Sequence, residues 1–143
     1  MQNRSSAVMQ QRSSSRDPGT RDYFGTPPWA TRALLEAISP DPRLTVWEPA
    51  AGAGFMVRPL AEHFARVIAT DIVPGAGAHA VDFLALQADA IAADWIITNP
   101  PYVHADRFAL AALRRARVGV ALFVRSAFLE GRSRHTNLYA AHP

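Results

Sequence analysis

From residue 26 onward the chain alternates two apolar patterns. Ala30, Ala33, Leu34, Ala37 and Ile38 recur at the three- and four-residue spacing of one helix face. Thr26 is placed to cap that helix, and Pro27 suits its first turn. "SPDPR" breaks it, and "LTVWE" (44–48) follows as a short buried strand. "AAGAG" is then a turn, and "FMVRPLAEHFA" a helix whose Pro59 falls near the tolerant first turn. "RVIATD" (66–71) is a second strand. The loop "IVPGAGAHA" leads to a short strand at 80–82, a helical turn around "FLALQADAI", the strand "DWIITN" (94–99), the helix "RFALAALRRAR" and the strand "VGVALFV" (118–124). The remaining nineteen residues are partly helical in character. Strands that run almost wholly apolar and alternate with helices predict an α/β domain, a mostly parallel sheet covered on both faces.

That domain begins near Tyr23. Residues 1–22 are rich in Ser, Gln and Arg and poor in large apolar side chains, so burial cannot offset the entropy of ordering them. They are expected to form a disordered tail; similar acid-poor starts also occur in organelle transit peptides. In 143 residues no apolar run reaches the roughly 18 residues of a membrane span, and no signal peptide is recognisable, so a cytoplasmic location is expected.

Composition narrows the chemistry. With no cysteine there is no disulfide, thiolate metal site or cysteine nucleophile, and the five histidines show no ligand spacing. All basic residues are arginine, fifteen in number, for a net charge of +3. Guanidinium binds phosphate bidentately, which permits a polyanionic partner.

In a doubly wound sheet, ligands sit at the carboxyl ends of the strands. The informative residues follow strands here: Glu48 with Gly52 and Gly54, Asp71, Asp82 with Phe83, and Asn99 to Tyr102. The glycines of "EPAAGAGFM" would let a ligand approach the backbone, and Asp71, 19 residues beyond Gly52, could accept from ribose hydroxyls. A dinucleotide fingerprint would want a small third residue at 57, which is Val57. A nucleoside-containing cofactor other than NAD is therefore expected, and Glu48 beside the turn favours a cationic one. In "WIITNPPY" two consecutive prolines remove two backbone donors and end the ladder rigidly.

"EPAAGAGFM", "ATDI", "DFL" and "DWIITNPPY", in this order and spacing, resemble the successive motifs of S-adenosylmethionine-dependent amino-methyltransferases of the N6-adenine DNA type, and "YFGTPP" resembles an extra N-terminal motif of one subgroup. The resemblance implies a Rossmann-like class I methyltransferase fold and S-adenosylmethionine as cofactor. It assigns Tyr23 and Thr26 to the methionine part, and Glu48 with Ala50, Gly52, Gly54 and Phe55 to the amino-acid end. Asp71 would bind the ribose, with Ile72 packing on the adenine; Asp82 would accept from the adenine amino group beside Phe83. Asn99, Pro100, Pro101 and Tyr102 would form the catalytic motif, and "FLEGRSR" together with the small size suggests a phage-type enzyme.

The same motif serves enzymes that methylate a glutamine amide in translation release factors, so DNA, RNA and protein stay open as substrates, as does an inactive cofactor-binding remnant. DNA is the favoured partner. The resemblance also implies further strands beyond the fifth, for which the residues after 124 are too few, so a truncated copy, an oligomer or a completing partner chain is expected.

Overall fold

A computed structural model describes residues 25–142 except 74, 76 and 88. Tyr23 and the Arg/Ser-rich tail lie outside the described residues. The elements are α1 (Pro28–Ile38), β1 (Thr45–Glu48), α2 (Val57–His63), β2 (Arg66–Asp71), β3 (His79–Ala80), β4 (Ala93–Thr98), α3 (Ala105–Arg115) and β5 (Ala116–Leu122). A 3-10 turn at Tyr102–His104 leads into α3, and short helical turns follow β5 over Ser126–Leu129 and Arg132–Tyr139.

The strands form one sheet in the order β3-β2-β1-β4-β5, every neighbouring pair parallel. Side chains one residue apart in a strand face opposite sides, so a sheet buried on both faces needs consecutive apolar residues. Val46 and Trp47 in β1, with Ile96 and Ile97 in β4, meet that need. Trp47 and Ile96 pack with Phe83, Phe108, Ala111 and Ala112 under α3, while Val46 and Ile97 pack with Leu35, Leu60 and Phe64 under α1 and α2. Trp47 donates its indole N–H to the Thr70 hydroxyl at 2.9 Å, which satisfies the polar atom of the first layer.

Two local expectations are corrected. Thr26 does not cap α1: the N-cap is Pro27, with no side-chain bond to the helix, and Thr26 faces the site described below. The helical turn expected after β3 is present, the Ala85 and Leu86 N–H groups both donating to the Asp82 carbonyl at 3.2 Å. The final strand starts at Ala116 rather than Val118, since α3 passes into it with no intervening loop. Among the described residues β5 is an outer strand, and Val118 on it is 57% exposed. No helix among them is long and apolar enough to cross a membrane.

Candidate active site

The sequence order along the sheet reverses between β1 and β4, so the loops leaving their carboxyl ends diverge and open a crevice. A cavity of about 670 Å³ lies there, lined by the segments that follow β1, β2 and β4 together with Gly25 and Thr26.

The first wall is the turn after β1. Glu48 ends the strand and is 1% exposed. Its Oε1 accepts from the Ala50 N–H at 2.9 Å and from the Thr98 hydroxyl at 2.5 Å. Burial pushes this carboxyl up to about 8; the two hydrogen bonds oppose the shift, and the neighbouring Asp71 charge adds to it. Gly52 and Gly54 have φ of +50° and +80°, a left-handed backbone that favours glycine, and this bends the chain back so that its peptide groups face the cavity. Gly52, Ala50 and Phe55 line the cavity; Gly54 is buried behind it and shapes the turn.

The second wall follows β2. Asp71 Oδ2 accepts from the Gly52 N–H at 2.8 Å and Oδ1 from the Val73 N–H at 2.9 Å, so one carboxylate ties the β1 turn to the β2 loop. Each oxygen keeps a second lone pair, enough to accept from a vicinal diol as well. Ile72 and Val73, both exposed, add an apolar rim.

The third wall is Asn99 to Tyr102 with Val103 and His104. The Asn99 amide nitrogen donates to the Thr26 hydroxyl at 2.9 Å. Thr26 is 6% exposed, so this bond is shielded from water and fixes the amide's rotation. Pro100 is buried and Pro101 half-buried, which holds the acceptors of the motif in place. The Arg125 guanidinium carbon stands 4.3 Å from the centre of the Tyr102 ring.

Thr26, Glu48, Ala50, Gly52, Phe55, Asp71, Ile72 and Asn99 to Tyr102 are thus brought together around one space. Asp82 and Phe83 are not. Asp82 Oδ1 accepts from the Leu84 and Ala85 N–H groups at 2.9 and 3.3 Å, capping the turn after β3. Phe83 is a core residue, edge-on to Trp47 at 5.0 Å and tilted on Phe108 at 4.9 Å. Its neighbour Arg115 spreads over it at 4.8 Å and donates to the Ala111 and Leu86 carbonyls. Residues missing from the sequence-based set include Met56, Val103 and His104 at the cavity, and Arg125 on Tyr102. Arg125 directly follows the strand expected at 118–124, so the rule that singled out residues after strands reaches it, although β5 itself ends at Leu122.

Among the described residues the acids Glu48 and Asp71 and the imidazole of His104 line the cavity, and no arginine does. A site for pyrophosphate would want the opposite charge. The lining suits a ligand with a positive charge, a diol and an apolar ring. Among the described residues no group of acids and histidines could hold a metal ion.

The sheet order and the position of the crevice define a Rossmann-like α/β fold. Among solved structures the chain is similar to "a putative RNA methyltransferase" from Pyrococcus horikoshii, with a TM-score of 0.56 and 20% identity over 72% of this chain and 61% of that one. No family model and no curated protein matches the sequence.

Proposed function

We propose that the chain is an S-adenosylmethionine-dependent methyltransferase that modifies an exocyclic amine, adenine N6 in DNA being the favoured target. The observation that carries this reading is the composition of one cavity: acids as its charged lining, and a rigid Asn-Pro-Pro-Tyr segment on its third wall. The bound cofactor would supply an electrophilic methyl group on a cationic sulfur. Glu48 and Asp71 would hold its charge and its ribose.

An amine on an aromatic ring is a poor nucleophile because its lone pair is delocalised. The Asn99 side-chain oxygen and the Pro100 carbonyl would accept the two amine hydrogens and turn the lone pair out of conjugation. Having taken the methyl group from the cofactor, whose sulfur would keep the bonding pair, the nitrogen would pass one proton to water at the cavity mouth. The same two acceptors stabilise the positive charge that develops on nitrogen, and their rigidity limits reorganisation. Tyr102 would offer a stacking face, worth about 1–3 kcal/mol for a base. In duplex DNA the target would first leave the stack.

RNA is the second reading, supported by the description of the structural neighbour as an RNA methyltransferase. The test is transfer of label from radiolabelled S-adenosylmethionine to DNA, RNA or release factor, with Asn99→Ala as control. Label in DNA that falls at least about 100-fold in the variant is the expected result, the size that loss of one aligned transition-state hydrogen bond produces. Label confined to RNA would move the assignment to the second reading. Label that persists in Asn99→Ala would exclude the proposed role of the motif.

A further inference from the structure

We infer that Arg125 binds a backbone phosphate of the nucleic-acid strand whose base lies on Tyr102, an inference that rests on the methyltransferase reading above. The Phe123 N–H donates to the Thr98 carbonyl at 2.9 Å, so the chain leaving β5 emerges beside the chain leaving β4, at the end of the sheet that carries the cavity. Arg125 comes two residues later. It is exposed, and its guanidinium lies 4.3 Å from the Tyr102 ring centre.

Charge is divided across this opening. Inside, Asp71 lines the cavity as a carboxylate that repels phosphate, and the buried Glu48 carboxyl beside it would ionise only against a cationic ligand. A strand delivering a base to Asn99 must therefore keep its backbone at the rim. Arg125 is a cation held there by the same aromatic ring on which the base would stack. The phosphates flanking a nucleotide are one sugar away from its base, within the sweep of an arginine already standing over that ring. Planar guanidinium suits the contact because it stacks on an aromatic face and still presents N–H donors to phosphate oxygens.

The test is fluorescence anisotropy of short single-stranded DNA and RNA oligonucleotides with S-adenosylhomocysteine present, across about 50 to 200 mM salt, for the native chain, Arg125→Gln and Arg125→Lys. Calorimetric binding of S-adenosylhomocysteine alone is measured in parallel. Arg125→Gln is expected to bind the strand several-fold more weakly and to lower the slope of log affinity against log salt by about 0.7, one phosphate contact on a single strand. Arg125→Lys should keep the slope. S-adenosylhomocysteine affinity should be unchanged in both, which also reports that they fold. An unchanged slope and affinity in Arg125→Gln would overturn the inference. A native chain that binds S-adenosylhomocysteine but neither oligonucleotide, or that labels only a protein, would also overturn it while leaving the cofactor site standing. Binding of neither cofactor nor strand would remove the methyltransferase reading itself.

Discussion

At the end of β1 the Glu48 carboxyl is sealed from water and held by one hydroxyl and one peptide N–H. Neutral, it is tolerated there; ionised, it lacks a cation among the residues lining the cavity. Folding therefore raises its affinity for a proton. A group raised in this way stabilises the fold most below its ordinary carboxylate range and loses that contribution as pH rises through about 8. Glu48→Gln keeps the shape and an acceptor for both donors without the charge. Thermal melting of the ligand-free protein should thus show a higher melting temperature for Glu48→Gln than for native at pH near 9, and little difference near pH 5. A constant offset between the two at both pH values would contradict this. Of the residue-level chemistry, Glu48, Asp71 and Asn99 were legible because each ends a recognisable strand. The helix-cap reading of Thr26 failed because a threonine before a helical pattern is ordinarily a cap; the resemblance placed it at the site, and there its partner Asn99 is 73 positions away, beyond any local pattern.

β4 and β5 show how elements set the position of the motif. Their register aligns Trp95 with Gly119, and the Trp95 ring lies where a side chain at 119 would be: an added Cβ would meet its Cζ3 at 2.4 Å. Glycine here serves close approach, since its backbone needs no left-handed turn. Gly119→Ala should destabilise the protein by about 1–3 kcal/mol, the usual cost of overpacking. Urea unfolding monitored by tryptophan fluorescence would measure it, and an unchanged midpoint would show that the ring moves aside freely. The strands of the sheet centre were readable from apolar content alone. Boundaries were less so: "RAR" carries helix-like polarity, yet Ala116 and Arg117 already belong to β5. After Asp82 caps the turn that follows β3, Leu84, Leu86 and Ile91 pack beside Phe83 on the core under α3.

Over the whole molecule, two apolar layers hold a five-stranded sheet whose central strands are the most buried. The two central strands, β1 and β4, end at the crevice, so the best-packed part of the protein presents Glu48 and Asn99. Their positions are fixed by core packing, whereas Val103 and Arg125 are exposed at the rim. Strand order itself is not written in hydrophobic periodicity, and the site residues came from a resemblance spread over four motifs, one of which, at Asp82 and Phe83, falls away from the cavity. The central claim is that this cavity is a cofactor site with Asp71 as a ligand for the ribose. Titration calorimetry of S-adenosylhomocysteine against the native chain and Asp71→Asn tests it most directly. One saturable site in the native protein, weakened about tenfold or more in the variant, is the predicted result, in proportion to the loss of a charged hydrogen-bond acceptor. No binding by the native chain, or equal binding by Asp71→Asn, would contradict it.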